Sequence, residues 1–421
     1  MRRLPEARRA AREAGCIGAM FPWQSGSDGR EETQVVHLNP RSGRWLPDHS
    51  HLQRHINLAI AYNHWQYHKA TGDTEFLVEH GAEVLLEIAR FFAAFARYDR
   101  VRQRYVIEGV VGPDEYHDAY PDAPAPGIDN NAYTNLMAAW VLWRALDVLE
   151  QLPEERRTQL CERLLLDRPE LDRWEQVSRR MFVPFDGLII SQFEGYEKLD
   201  ELDWEGYRRR YGDIDRLDRI LEAEGDSTNR YQASKQADVL MLFYLLSAEE
   251  LADLFDRLGY PFAPEAIPAN IDYYLQRTSD GSTLSRVVHS WVLARSRRPE
   301  SWRLFREALE SDIADVQGGT TAEGIHLGAM AGTVDLVQRG YTGLELRDEA
   351  LWLNPRLPDE ITRLEFSLRY RRHWGIRVQI GDGVLRVSVP RSDAPPIRFG
   401  YRDQLIELGP GETFEAPLDG G

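Results

Sequence analysis

Apolar residues recur every three or four positions along most of the first 345 residues of the chain. The segment that contains Leu77, Val84, Ile88, Phe91 and Phe95 shows this spacing clearly. Apolar side chains at such intervals lie on one face of an α-helix, so this segment is predicted to be helical. The same spacing predicts further helices over residues 53–71, 131–151, 233–247, 264–277, 284–296, 298–312 and 322–338.

Loops rich in Gly, Pro, Asp and Asn separate the predicted helices, and the longest loops carry most of the polar motifs. Helices whose connecting loops hold the chemistry suggest a toroid with an active site at one end. A helical solenoid or a helix bundle would show the same periodicity, so the spacing alone leaves these alternatives open.

The pattern changes near residue 350 from the helical period to strict alternation. Leu364, Phe366 and Leu368 alternate with polar residues, and two similar runs flank a Gly-Asp-Gly turn at 381–383. Period two with such a turn predicts antiparallel β-strands. We therefore predict a mainly α protein, with a helical domain over residues 1–350 and a small antiparallel β domain over residues 351–421.

Composition narrows the classes of partner. The chain has 421 residues, 43% of them hydrophobic, and a net charge of -17. It can bury a large core, and its negative charge disfavours nucleic acid and anionic membrane surfaces. The longest apolar run, Val239 to Leu246, is too short to cross a bilayer. Cys16 and Cys161 form neither a disulfide framework nor a zinc pattern, so we expect a reducing, cytoplasmic location.

The stretch Gly-Pro-Asp-Glu-Tyr-His at 112–117 presents one acid, Glu115, in a turn that is surrounded by aromatic and amide residues. Such surroundings favour the protonated form of a carboxyl group, which suits a general acid. His117 and the following Asn residues are of the kind that bind sugar hydroxyls. A simpler interpretation remains, because Asp129 and Asn130 are also good N-caps for the next helix. Asp114 is expected to shape the turn rather than to act as the acid.

Two further segments place hydroxyl groups where helices are predicted to begin. They are Asp-Gly-Ser-Thr-Leu-Ser at 280–285 and Gly-Gly-Thr-Thr-Ala-Glu-Gly-Ile-His at 318–326. Hydroxyls and free N–H groups at a helix N-terminus can bind an anion such as phosphate. Ser282, Thr320 and Thr321 could instead only cap their helices.

These segments, together with Gly-Ala-Met-Phe-Pro-Trp-Gln-Ser-Gly at 18–26 and Lys-Gln-Ala-Asp at 235–238, resemble glycoside hydrolase family 65 in order and interval. The resemblance extends from Arg2 to about residue 390. It implies an (α/α)6 barrel followed by a small β domain. It also implies inverting phosphorolysis of an α-linked glucose disaccharide of the maltose, trehalose or kojibiose type. Inorganic phosphate would be the co-substrate, with no cofactor, and a homodimer is one candidate quaternary state.

The resemblance assigns roles to individual residues. Glu115 matches the general acid, whereas the sugar would be bound by Trp23, His117, Lys235 and Gln236. Lys235 could also be a solvated charge, and Trp23 a core residue, if each stood alone. The phosphate would be bound by Ser282, Thr283, Ser285, Thr320, Thr321 and His326.

Two departures from the family pattern keep other functions open. Many of these phosphorylases have His where this chain has Asp280, and a carboxylate would repel phosphate but could activate water. An inverting, trehalase-like hydrolase is therefore the alternative enzyme. The family's N-terminal β-sandwich and its Trp-Asp-Thr-Glu segment do not precede Arg2 in this sequence. An inactive, truncated fragment is a further alternative.

A metal site is not expected from the histidines at 49, 51 and 55. His51 and His55 have the right spacing but lack the Glu of a His-Glu-x-x-His motif.

Overall fold

The computed structural model describes residues 2–315, 324–347 and 349–418. Within these ranges the chain is mostly helical up to residue 340 and mostly strand after it. The α-helices are α1 Leu4–Glu13, α2 His55–Thr71, α3 Thr74–Phe76, α4 Ala82–Phe95, α5 Ala132–Gln151, α6 Glu154–Leu164, α7 Arg168–Arg180, α8 Trp204–Tyr211, α9 Leu217–Glu224, α10 Asp238–Leu245, α11 Ala248–Leu258, α12 Ala266–Leu275, α13 Thr283–Leu293, α14 Arg298–Glu310 and α15 Leu327–Asp335.

The strands form three short hairpins among the helices and two four-stranded sheets near the C-terminus. They are β1 Val36–Asn39, β2 Arg44–Pro47, β3 Arg97–Asp99, β4 Arg104–Val106, β5 Phe185–Asp186, β6 Ile189–Ile190, β7 Glu345–Arg347, β8 Ala350–Leu353, β9 Arg363–Tyr370, β10 His373–Gly381, β11 Val384–Ser388, β12 Ile397–Tyr401, β13 Gln404–Leu408 and β14 Thr413–Pro417.

The chain divides into two compact units. The first unit contains Met1–Trp65 and Glu75–Ser285, and the second contains Gln66–Thr74 and Arg286–Gly421. The change from helix to strand falls between residues 340 and 345, close to the predicted limit at 350. The compact units, however, separate at Ser285, so the predicted domain limits remain a prediction.

In the first unit, α5 forms as its apolar spacing predicts. The side chain of Asn131 accepts a hydrogen bond from the Thr134 N–H and caps the first turn. The cap is thus the residue after Asp129 and Asn130. Helix α5 packs against α4 and α7, which explains why all of its first eleven residues are buried.

The helix predicted over 233–247 is shorter in the structure, because the residues before Asp238 are held in an extended segment. The Ser234 N–H donates to the Arg277 carbonyl at 2.8 Å, and the Ser279 N–H donates to the Ser234 carbonyl at 2.9 Å. These contacts satisfy backbone groups that a helix would otherwise use. Lys235 and Gln236 therefore lie in a bend that precedes α10.

The helix predicted over 322–338 begins at Leu327, after His326 at its N-cap position, and continues as a π-helical turn over Leu336–Gly340. Thr320 and Thr321 lie outside the described residues.

In the second unit, both four-stranded sheets contribute to one apolar core. One sheet has the order β14-β11-β10-β9 and is antiparallel throughout. The other has the order β13-β12-β8-β7, in which β12 and β8 are parallel. Buried residues of the two sheets, such as Ile376, Val387 and Phe399, share this core. The alternation correctly predicted the strands, but not the parallel pair, because local periodicity does not encode which distant strands become neighbours.

Within that parallel pair, Gly400 lies opposite Trp352. A Cβ atom at residue 400 would lie 2.2 Å from Cδ2 of the Trp352 ring. Gly400→Ala should therefore lower the free energy of unfolding by about 1–3 kcal/mol, because a rigid ring cannot yield without disturbing the sheet. Urea unfolding of the chain would measure this loss.

Gly409→Ala is the matched control, because the nearest atoms there belong to the flexible side chain of Glu412, at 3.3 Å. Equal losses in the two variants would contradict the steric explanation.

Candidate active site

The acid motif forms a tight turn in the first unit. The Glu115 N–H donates to the Gly112 carbonyl at 3.2 Å, and Glu115 has a positive φ of 64°. A Cβ atom at residue 112 would lie 2.2 Å from Oδ2 of Asp238 and 2.5 Å from Nδ2 of Asn131. Glycine is therefore required at 112, since these two side chains fill the space below the turn.

Asp114 is buried below the turn, with 2% of its surface exposed. Its Oδ1 accepts the backbone N–H of Lys235 at 2.6 Å. Its Oδ2 accepts Nε2 of Gln192 at 3.0 Å and lies 2.8 Å from Nδ1 of His117. With both oxygens occupied by protein donors, this geometry favours a shaping role for Asp114 over an acid role.

His117 is also buried, and its ring contacts the rings of Phe193 and Tyr196. Besides its contact with Asp114, its Nε2 lies 3.0 Å from the Tyr231 carbonyl oxygen. Both ring nitrogens thus face oxygen atoms of the protein. In this arrangement His117 supports the turn and does not present a nitrogen to a sugar, which differs from the predicted substrate contact.

A second buried carboxyl group, that of Asp238, lies beside this network. Burial, with the nearby charge of Asp114, raises the pKa of Asp238 well above its usual value. Its Oδ2 accepts Nδ2 of Asn131 at 2.6 Å, and its backbone N–H donates to Oε1 of Gln192. A neutral Asp238 avoids placing two negative charges close together in the interior.

Above the turn, the carboxylate of Glu115 meets two donors. Nζ of Lys235 lies 2.5 Å from Oε2, and Nε2 of Gln53 lies 3.5 Å from Oε1. The Glu115 side chain is 30% exposed. Glu115 and Lys235 therefore form an ion pair at the surface of the turn.

Glu115 and Lys235 line a cleft of about 650 Å³ in the same unit. Trp23 lines it as well, and its ring lies 5.1 Å from the buried ring of His55. The cleft therefore brings together residues from three separate motifs, two of which were predicted to bind the sugar. A volume of this size is typical of small-molecule sites.

The predicted sugar ligand Gln236 lies close to the acid turn, although it is not among the residues that line the cleft. Its Nε2 donates to the Pro113 carbonyl at 2.8 Å, and its buried Oε1 has no hydrogen-bond partner.

The hydroxyl-rich segment at 280–285 packs directly against this site. A Cβ atom at Gly281 would lie 3.1 Å from Cγ of Lys235 and 3.2 Å from the Tyr116 hydroxyl. That hydroxyl lies 2.8 Å from Oγ of Ser279. Helix α13 begins at Thr283, which is buried, and Oγ of Ser282 accepts the Leu284 N–H at 3.2 Å.

Ser285 was predicted to bind phosphate and Asp280 to be a possible base, and neither lines the cleft. Ser285 is fully buried, and its hydroxyl donates to the Lys235 carbonyl at 2.9 Å. Asp280 has a positive φ of 61° and is not among the residues that line the cleft.

His326 belongs to the second unit, where its Nδ1 lies 2.6 Å from Oδ1 of Asp312. This contact orients its ring. With Thr320 and Thr321 outside the described residues, the second half of the predicted phosphate site stays a prediction.

Two pairs of polar side chains at the cleft were not predicted from the sequence. Arg216 and Asp218 form two hydrogen bonds of 3.2 and 2.9 Å. Burial opposes the charge of Asp218, but Arg216 outweighs it and lowers the pKa of that carboxyl group. Nδ1 of His49 lies 2.7 Å from Oδ2 of Asp118. No motif in the sequence marks these four residues.

Among the described residues, no three His, Cys, Asp or Glu side chains are grouped so that they could hold a metal ion. No helix in those ranges is long and apolar enough to cross a membrane.

Comparison with known families decides the family membership. The model of the glycosyl hydrolase family 65 central catalytic domain matches residues 1–335, and the C-terminal domain of the same family matches residues 344–408. The chain belongs to glycosyl hydrolase family 65. Its fold is thus the mainly α architecture predicted from the resemblance, an (α/α)6 toroid followed by a small β domain.

Relatives within family 65 differ in what is known of them. An uncharacterized glycosyl hydrolase of Mycobacterium tuberculosis is 59% identical over 98% of this chain and 31% of its own length. Trehalose 6-phosphate phosphorylase of Lactococcus lactis is 40% identical over 90% of this chain and 47% of its own length. A solved structure described as "Putative kojibiose phosphorylase from human microbiome" has a TM-score of 0.80 at 21% identity, covering 100% of this chain and 56% of that one. The family 65 chain thus spans about half the length, or less, of these curated relatives.

The buried ring of His55 predicts a pH dependence of stability. Burial lowers the pKa of His55 from 6.5 to about 3. Below pH 6.5 the unfolded chain binds a proton there that the folded chain does not bind, so stability falls as the pH decreases from 6.5 towards 3. His55→Phe should remove this part of the slope, which is at most about 1.4 kcal/mol per pH unit. Urea unfolding between pH 4.5 and 7 would measure it.

His51→Phe is the control, because the His51 side chain is exposed. A slope that stays unchanged in His55→Phe would show that burial of His55 is not its source.

Proposed function

We propose that the chain catalyses inverting phosphorolysis of an α-linked glucose disaccharide of the maltose, trehalose or kojibiose type. Glu115 protonates the glycosidic oxygen, and a phosphate oxygen attacks the anomeric carbon from the opposite face. The bond to the leaving oxygen breaks as the bond to phosphate forms. The products are β-glucose 1-phosphate and the released acceptor, which carries the transferred proton.

One observation carries the proposal: Glu115, Lys235 and Trp23, from three distant motifs, line the same cleft. A protonated acid, a cation for sugar hydroxyls and an aromatic face are the groups that an exo-acting glycoside phosphorylase needs around the terminal glucose. Relatives named as trehalose 6-phosphate, kojibiose and 1,2-α-glucosylglycerol phosphorylases support the same reaction type.

Lys235 has two roles in this proposal. Its ammonium group is bound to Glu115. A sugar hydroxyl bound at Nζ of Lys235 draws the ammonium group away from Glu115, whose carboxyl group then donates its proton to the glycosidic oxygen. After proton transfer the ammonium again stabilises the carboxylate, which favours the charge that develops on Glu115.

Phosphate as the nucleophile is supported by the position of the segment at 280–285. Its Gly281 lies against Lys235 and Tyr116, next to the acid. Ser282 and Thr283 place hydroxyl groups at the N-terminus of α13, where an anion can be bound. Thr320, Thr321 and His326 remain further phosphate ligands that the resemblance to the family predicts.

Hydrolysis with Asp280 as the base is the second candidate. Its support is the carboxylate itself, which stands where many family members have His. Asp280 is not among the residues that line the cleft, and neither are Ser282 and Thr283, so phosphate dependence is the measurement that separates the two candidates.

Glu115→Gln should lower turnover of the disaccharide by roughly 10²–10⁴-fold, because the amide cannot protonate the leaving oxygen. Turnover of α-glucosyl fluoride should fall much less, since fluoride leaves with little help from an acid. Initial rates on both substrates would measure the difference.

Asp226→Asn, at another carboxylate of the cleft, is the matched control and should affect both substrates alike. A similar loss on both substrates in Glu115→Gln would argue that Glu115 is not the acid.

Phosphate dependence is the second test. Cleavage of maltose, trehalose, kojibiose or trehalose 6-phosphate should require added phosphate, and β-glucose 1-phosphate should appear in the proton NMR spectrum. Asp280→His should preserve or raise this activity, because the change removes a charge that repels phosphate. Release of free glucose without phosphate, abolished by Asp280→Asn, would instead establish the hydrolase.

A further inference from the structure

The backbone of Lys235 is held on both sides of its Cα atom by side chains of other segments. Its N–H donates to Oδ1 of Asp114 at 2.6 Å, and its carbonyl accepts the hydroxyl of Ser285 at 2.9 Å. Asp114 precedes the acid directly, whereas Ser285 lies in the first turn of α13. The segment that carries the lysine is thus tied to both the acid turn and the hydroxyl-rich helix start.

The hydroxyl of Ser285 is committed to this contact. A serine has one proton to donate, and here the Lys235 carbonyl receives it. The remaining lone pairs of Oγ would repel the oxygens of a phosphate, which are acceptors themselves. Ser285 is also fully buried, unlike Ser282, which is partly exposed.

The hydrogen bond from Ser285 affects the Lys235 side chain because it helps to fix the backbone from which that side chain extends. Nζ lies 2.5 Å from Oε2 of Glu115, although four flexible bonds connect it to the backbone. A fixed Cα position limits the conformations that the long side chain must lose on binding. Removing one of the two backbone contacts would let the 234–237 bend shift and would weaken whatever the ammonium group binds.

We propose that Ser285 is a positioning residue for Lys235 and not a phosphate ligand. Together with Asp114 it fixes the backbone of Lys235, so that the ammonium group reaches both Glu115 and the glucose. This inference rests on the proposed function in one respect, namely that Lys235 binds the sugar.

The test compares glucose binding by calorimetry, without phosphate and without turnover. Ser285→Ala should weaken glucose binding by about 2- to 10-fold, the effect of losing one neutral hydrogen bond. In a Lys235→Met background the same change should have no further effect, because a residue that acts through Lys235 cannot contribute when the ammonium group is gone. Ser285→Cys, which keeps the volume but donates weakly, should behave like Ser285→Ala and guards against a folding defect.

Ser290→Ala is the matched control on the same helix. Ser290 is equally buried, and its hydroxyl donates to the Ser301 carbonyl at 2.7 Å. The variant should lose a comparable hydrogen bond without any change in glucose affinity, and thermal melting would show that each variant is folded.

Three results would overturn the inference: unchanged glucose affinity in Ser285→Ala, a fully additive loss in the Lys235→Met background, or a raised KM for phosphate alone. If glucose binding responds as expected but cleavage needs no phosphate, the proposed reaction fails while the role of Ser285 stands. A wild-type chain that binds no glucose would reject both.

Discussion

The hydrogen bond between the Asp114 carboxylate and the backbone of Lys235 is the constraint on which the site depends. Glu115 is fixed by the turn that Asp114 anchors, and Lys235 is fixed by the carboxylate itself. The acid and the cation come from segments 120 residues apart, yet their relative position is set by two adjacent residues. Gln192 and His117 donate to the same carboxylate, so the buried charge is balanced by several donors and the turn is rigid.

This constraint explains why the two sides of the turn differ: the buried side is filled by hydrogen-bonded polar groups, whereas the side with Glu115 faces the cleft. Below the turn every oxygen of Asp114 has a protein partner, whereas above it Glu115 and Lys235 have mainly each other. A substrate that separates the pair replaces one charged contact by several hydrogen bonds, without disturbing the buried support. Asp114 therefore stabilises the turn, whereas its neighbour Glu115 is the residue that faces the cleft.

Much of this arrangement could be predicted from the sequence, but the partners of individual polar side chains could not. The spacing of apolar residues predicted α5 and the strands at 363–388, because burying one face of a helix or strand requires apolar residues at regular intervals. Motif order led to the family, and the cleft brings Glu115, Lys235 and Trp23 together. His117 and Ser285 were expected to face ligands, yet they hydrogen-bond to backbone carbonyls that are 114 and 50 residues away. Such contacts, like the pair of Arg216 and Asp218, arise only once the chain is folded.

The left-handed backbone of Glu115 has a consequence for how this protein could be engineered. A glutamate with a φ of 64° costs about 1–2 kcal/mol that Gly would not, and that Asn bears more easily. Under the proposed mechanism, replacing Glu115 by either residue would relax the turn while removing the proton donor. Selection of variants for heat resistance alone would tend to enrich inactive proteins at this position, so a useful screen must couple survival to turnover.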